Sequence, residues 1–326
     1  MNAAEDPKLG NIIDEKHYTV AAFYQFISLN NILSLQTELK KLCQRNEIFG
    51  TILLASEGIN GTVAGKQSSI NCLFKWLREQ PSFNEIQVKY SNSDSQAFNR
   101  LKVRIKKEIV TMGKTDINPN NVVGTYIKPE NWNDFINDPE TLIIDTRNDY
   151  EIAIGTFKNS TNPQTQSFRE FPDWVKTELD TLPDNKRPKQ IAMFCTGGIR
   201  CEKASSYLVQ KGYENIFHLE GGILKYLEII PETDSTWLGD CFVFDQRVSV
   251  EHGLAPGKYK MCHACRLPLA PEDLKSKNYQ PGVSCPKCYG SHTPEQQKRF
   301  KERQYQVELA KERGVTHIGT TPGKHS

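Results

Sequence analysis

The chain has 326 residues, with 41 Lys and Arg against 39 Asp and Glu and a formal net charge of +2 at pH 7. That length holds two or three domains, while the near-balanced charge excludes a globally polyanion-binding surface and confines any nucleic-acid contact to a local patch. No apolar run is long enough to span a bilayer and the polar start, Met1-Asn-Ala-Ala-Glu-Asp-Pro7, has no apolar signal core. The chain is therefore expected in the cytosol, where its nine cysteines serve as thiols and metal ligands rather than as a disulfide framework.

Residues 1–16 are polar and expected to be loosely packed or disordered. Tyr18 to Ile27 is β-branched and aromatic and predicts a strand. Ile32, Leu35, Leu39 and Leu42 recur at helical spacing within Ile32 to Cys43. Thr51 to Ala55 and Gly61 to Ala64 predict two strands around Glu57-Gly58-Ile59-Asn60, and Ile70 to Leu77 a second helix with Leu73, Trp76 and Leu77 on its apolar face. Ile86 to Tyr90 and Leu101 to Val110 complete the set. The order strand-helix-strand-strand-helix-strand predicts an α+β domain of ferredoxin-like or acylphosphatase-like type over 17–118, its helices on one face of the sheet. Its strand Arg100-Leu-Lys102-Val-Arg104-Ile-Lys106 alternates cations with apolar residues. Two accounts stay open: a solvated edge whose charges oppose aggregation, or an RNA phosphate contact with Tyr24, Phe26 and Phe98 as candidates for base stacking.

After the turn-rich Asn118-Pro-Asn-Asn121, Leu142 to Ile144 predicts a buried strand ending at Asp145, which with Arg147 is expected to tie loops together rather than to react. Phe168 to Leu179 predicts a helix. Ile191 to Phe194 is a short apolar run of the kind that forms a buried parallel strand, and Ala204 to Val209 the body of a helix. Cys195 thus sits at a strand-to-helix hand-over. Gly197 and Gly198 let the intervening loop, Thr196-Gly-Gly-Ile199, curl so that its N–H groups point inward. Those groups, the start of the helix and Arg200 favour an anion at the loop centre and a Cys195 thiol of lowered pKa. Cys201 is either a resolving thiol that exchanges with Cys195 or a side chain packed beside the helix start.

Beyond Pro231 come Cys262-His-Ala-Cys265 and Cys285-Pro-Lys-Cys288, two Cys-x2-Cys knuckles separated by nineteen residues. Such a pair predicts a structural zinc site of four thiolates, closing a segment (235–326) too poor in apolar residues to fold on its own core. His252, His263 and His292 are then bystanders. Pro294 to Arg313 predicts a charged helix, solvated or, through Lys298 and Arg299, near RNA.

The Cys195-x4-Arg200 loop resembles the active-site loop of the rhodanese fold, as do Leu142-Ile-Ile-Asp145-Thr-Arg147 and His218-Leu-Glu-Gly-Gly222. The resemblance implies a parallel α/β domain over 122–232, with Cys195 and Arg200 catalytic and Thr196, Gly197, Gly198, Ile199 and Cys201 supporting them. The ring suits a small anion such as a persulfide sulfur. Together with Glu57-Gly-Ile-Asn-Gly-Thr62, Cys241-Phe-Val-Phe-Asp245 and the cysteine pair, the chain resembles the rhodanese-domain tRNA uridine-34 5-hydroxylases over roughly 18–313. That resemblance implies an oxidoreductase that uses molecular oxygen to convert the wobble uridine of tRNA to 5-hydroxyuridine through a cysteine matching Cys195, with a reductant and a sulfur or electron donor protein that it does not identify. The residues alone do not give hydroxylation: no dinucleotide-binding Gly-x-Gly-x-x-Gly follows a strand, and no His–carboxylate–His set offers non-haem iron. A rhodanese-type sulfurtransferase or persulfide carrier is the alternative that the loop supports, and a non-catalytic RNA-binding scaffold is the third.

Overall fold

The computed structural model describes residues 17–314, so the expectation for 1–16 lies outside it. The first part runs β1 (Tyr18–Phe26), α1 (Ile32–Arg45), β2 (Phe49–Ala55), β3 (Gly58–Gly65), α2 (Gln67–Glu79), β4 (Gln87–Ser93) and β5 (Leu101–Ile105). The sheet order is β4-β1-β3-β2-β5, antiparallel except for the β2–β5 edge pair. Side chains alternate across the pleat. Ala21, Phe23, Ile52, Leu54 and Val63 point into one core with Leu39 of α1 and Leu73, Phe74 and Leu77 of α2. Both helices therefore cover the same face. Val20, Ala22, Tyr24, Thr51, Leu53, Asn60 and Thr62 are left to line the opposite face. This is the α+β, acylphosphatase-like arrangement that the strand-helix order predicts.

The strand expected to run to Val110 stops at Ile105. Glu108 turns inward instead, where its carboxylate accepts from the Met112 and Gly113 N–H groups, closing a turn that cannot continue a ladder.

The second part runs β6 (Thr125–Ile127), α3 (Pro129–Ile136), β7 (Thr141–Asp145), α4 (Asp149–Ile152), β8 (Gly155–Phe157), α5 (Phe171–Trp174), β9 (Gln190–Phe194), α6 (Ile199–Gln210), β10 (Ile216–Leu219) and α7 (Gly222–Ile229). Strands β6-β10-β9-β7 form a parallel sheet in that order. Along β9, Ile191 and Met193 join the core beneath α5 and α6, whereas Ala192 and Phe194 join the one beneath α3 and α7. Both faces are covered, as a parallel sheet requires.

The helix expected over Phe168 to Leu179 is broken into a 3₁₀ turn (Phe168–Glu170), α5 and a π turn (Val175–Leu179). Pro172 has no N–H to give the Phe168 carbonyl, which instead takes the tighter bond from Phe171 N.

The remaining segment adds β11 (Trp237–Gly239), which pairs with β8, then short hairpins around Cys241–Phe242 and Lys260–Met261. It ends in α8 (Pro294–Glu312), opened by a Thr293–Gln296 capping box with Pro294 in the first turn.

Candidate functional site

Cys195 follows β9 directly and is 1% exposed. The loop turns on Gly198, whose φ of 101° is open to glycine and strained for other residues; a Cβ there would also stand 2.7 Å from the Tyr24 hydroxyl. Gly197, expected to share that task, has no positive φ and faces open space. From beneath, the start of α7 holds the loop: Ile223 N donates to the Cys195 carbonyl and Leu224 N to that of Thr196, each at 3.0 Å. Gly222 makes that approach, since a Cβ would lie 2.5 Å from the Cys195 oxygen.

Gly198 N donates to Cys195 Sγ at 3.2 Å. Burial opposes ionisation of the thiol, but the adjacent Cys201 thiol, the Arg200 charge and the backbone N–H groups of Cys201 and Gly198 outweigh it and lower it to about 5. Cys195 is therefore a thiolate at neutral pH. Cys201, left open between two roles by sequence, is buried against both Cys195 and the Thr146 hydroxyl, the latter at 3.5 Å.

Arg200 does not stand free at the loop centre. Its guanidinium makes a two-pronged pair with Glu151 at 2.7 and 2.8 Å, because a buried guanidinium without a partner would carry a large desolvation cost. Burial would raise the Glu151 carboxyl, yet Arg200 and Arg147 hold it below the usual carboxylate range. Arg147 in turn is locked to Asp145 at 2.6 and 2.9 Å and to the Gly155 carbonyl at 2.6 Å, with both side chains fully buried. This is the loop-tying role expected of the pair.

Sequence reasoning missed the residues that bring the first sheet to this loop. Lys203, fully buried in α6, donates to Glu57 at 2.8 Å and to Glu108 at 2.7 Å. Tyr24 donates its hydroxyl to Glu202 at 2.7 Å. Lys89 on β4 donates to the Gly197 carbonyl at 2.9 Å and lies 5.2 Å from the Tyr24 ring centre; burial lowers its pKa to about 8, leaving it mostly charged at neutrality. The signals available were Glu57-Gly-Ile-Asn and Cys201-Glu-Lys203, which carry the resemblance without revealing that they meet.

Between the uncovered sheet face and the loop lies a cavity of about 510 Å³, lined among others by Tyr24, Asn60, Lys89, Ser91, Cys195 and Phe244. Arg247, paired with Asp245 at 2.6 Å, reaches Ser91 on β4 at 2.7 Å and closes one wall. Of the expected aromatics, Phe26 is core, Tyr24 is a cavity wall and Phe98 is half-buried at the rim. The expected RNA-facing cations Arg100, Lys102, Arg104 and Lys106 are all exposed, but of the four only Arg100 and Lys102 line a second groove, adjoining the Cys195 cavity without including Cys195 itself.

Cys262, Cys265, Cys285 and Cys288 place their sulfur atoms within 4.8 Å of one another, and none of the histidines joins them among the described residues. Separations of 3.6, 3.7 and 4.0 Å fit the roughly 3.8 Å edge of a tetrahedron with metal–sulfur bonds of about 2.3 Å. The four residues could hold a single zinc ion.

Residues 18–109 match the family model of the UPF0176 acylphosphatase like domain, and residues 128–229 that of the rhodanese-like domain. A protein of Teredinibacter turnerae named tRNA uridine(34) hydroxylase is 55% identical over 302 residues, covering 93% of each chain. Proteins of the same name from Acaryochloris marina and Agrobacterium fabrum are each 52% identical, covering 94% and 93% of this chain and 98% and 95% of their own.

Proposed function

The chain belongs to the tRNA uridine(34) hydroxylase family, and from that membership we propose that it hydroxylates the wobble uridine of tRNA to 5-hydroxyuridine, with Cys195 as the reacting group. The observation that carries this reading is the cavity. A persulfide carrier needs room for one sulfur, whereas Cys195 opens onto about 510 Å³, within the range that holds a nucleoside-sized ligand. A wobble base, unpaired in the free anticodon loop, is readily splayed into such a pocket.

In this reading the Cys195 thiolate adds to C6 of the uracil ring and leaves an enolate with its electron density on C5. Lys89 offers a positive charge to the enolate oxygen. Molecular oxygen is the co-substrate: one atom replaces hydrogen at C5 as hydroxyl, and the other leaves as water with two electrons and two protons from a reductant. Regeneration of the free thiolate releases the product ring. Arg200 positions the loop and contributes charge through its pair with Glu151. Zinc held by the four cysteines is structural, since its four sulfur ligands leave no open coordination position. The tRNA substrate implies a cytosolic location; among the described residues no helix is long and apolar enough to cross a membrane.

Mass spectrometry of tRNA nucleosides from a deletion strain tests the proposal. The wild-type chain should restore 5-hydroxyuridine derivatives and Cys195→Ser should not, while purified Cys195→Ser keeps the wild-type melting temperature. Complementation by Cys195→Ser, or loss of thiolated nucleosides instead of hydroxylated ones, would overturn it, the second outcome favouring the sulfurtransferase alternative.

A further inference from the structure

A second groove, of about 650 Å³, opens beside the Cys195 cavity and shares Thr51, Phe98, Phe244 and Asp245 with it as a common wall. Its cations come from three parts of the chain, β5 and the residue before it (Arg100, Lys102), the cysteine knuckle (Arg266) and α8 (Arg303), with the segment around Phe244 beside them. Its one carboxylate, Asp245, is already taken by Arg247 through two hydrogen bonds of 2.6 and 2.9 Å. Among the described residues no carboxylate pairs with Arg100, Lys102, Arg266 or Arg303.

Arg303 is nonetheless held in place. Its guanidinium donates to the carbonyls of His263 at 2.9 Å and Gly282 at 2.8 Å, which fixes its direction without neutralising it. Like charges gathered from three parts of the chain focus a positive potential in the groove, which attracts a polyanion. Phe244 stands in the common wall, is 59% exposed and is held edge-on by Phe242 at 5.1 Å between ring centres, leaving a ring face suited to stacking on a base.

We propose that this groove binds the sugar-phosphate backbone of the RNA strand next to the nucleotide held at Cys195, with Phe244 stacking on the adjacent base. The inference rests on the tRNA reading above and extends it: a strand whose uridine occupies the first cavity and which leaves over the common wall meets the four cations in succession. The cysteine knuckle thereby acts as an RNA clamp as well as a fold closure, since Arg266 directly follows the ligand Cys265.

The test is binding of a synthetic anticodon stem-loop RNA, with uridine at the wobble position, to the full zinc-loaded chain across a salt series. Arg100→Gln/Lys102→Gln/Arg266→Gln alters three exposed side chains and leaves the Arg303 backbone bonds intact. With about 0.7 of slope for each of three lost contacts, the plot of log affinity against log salt should become shallower by about 2. Iodoacetamide modification of Cys195 should keep its wild-type rate, which shows that the loop is undisturbed. A control, Lys40→Gln/Lys41→Gln on α1 at the far face of the sheet, should leave the slope as it was. Phe244→Ala should weaken binding without changing the slope. If the wild-type chain binds the RNA and the triple variant keeps the wild-type slope, or the control loses as much, the groove assignment falls and the tRNA reading survives. If the wild-type chain does not bind the RNA, both fall together.

Discussion

Removing the Cys201 thiol should weaken Cys195 as a nucleophile in a way that its replacement by serine does not. The neighbouring Cys201 thiol leads the influences that bring the Cys195 thiol down to about 5, ahead of the Arg200 charge. A hydrogen bond to an ionised group contributes about 1.5–3 kcal/mol, and 1.36 kcal/mol corresponds to one pKa unit. Cys201→Ala should therefore raise the Cys195 inflection by about 1–2 units, into the range of roughly 6–7. Serine keeps an O–H donor at the same place, so Cys201→Ser should stay close to wild type. The assay is the pH dependence of iodoacetamide modification at Cys195, followed by peptide mass spectrometry because the chain holds nine cysteines. Since only the thiolate reacts, the alanine variant should lose most of its rate at pH 5.5 and little at pH 8. A wild-type inflection in Cys201→Ala would refute the donor role. Equal loss of tRNA hydroxylation in both variants, with their inflections apart, would instead make Cys201 a resolving thiol.

Three further expectations follow from the same geometry. Lys203→Met leaves the buried Glu108 beside the half-buried Glu57 without their cation, so urea unfolding should show a loss of roughly 3 kcal/mol; adding Glu108→Gln should recover part of it, and an unchanged midpoint would contradict the pairing. Metal analysis should give one zinc per chain, and a chelator should expose the segment around α8 to proteolysis before the parallel sheet, because only the former depends on the four sulfurs for closure. Burial lowers His218 to about 4, below its unfolded value; the unfolded chain then takes up the proton first, so stability is lost as pH falls from about 6.5 toward 4, by about 3 kcal/mol in all, and an imidazole resonance that titrates near 6.5 would refute it.

What sequence made legible was local. The β-branched and aromatic run from Tyr18 and the helical spacing from Ile32 to Leu42 depend on neighbours a few residues away; both gave the correct element, and the second the correct face. The strand-to-helix placement of Cys195 and the spacing of the four knuckle cysteines are equally short-range. Failures came where a distant side chain intervened. The Arg200 charge does favour the Cys195 thiolate as expected, but its partner Glu151 lies 49 positions earlier and left no signal in the local pattern. The partners of Lys203 are 146 and 95 positions away and gave no local signal either. Periodicity cannot report such pairs, and those of Lys203 exist only once the first sheet has docked.

That docking is what turns a rhodanese-like loop into a nucleoside-sized site. An acylphosphatase-like sheet with two helices on one face has a second face to cover, and here Tyr24, Lys89 and Asn60 on that face become the roof over Cys195. The buried Lys203 between Glu57 and Glu108 makes the contact conditional: separated, the three charges regain water, and together they must be satisfied by one another. The roof is therefore fixed by electrostatic fit as well as by apolar area. A thiolate beneath a distant sheet would be a small-anion site open to any thiol, whereas the same thiolate beneath this roof can select a flat ring brought in on a strand. Chemistry thus resides in the loop, and the shape of the space it acts in is set by the sheet folded over it.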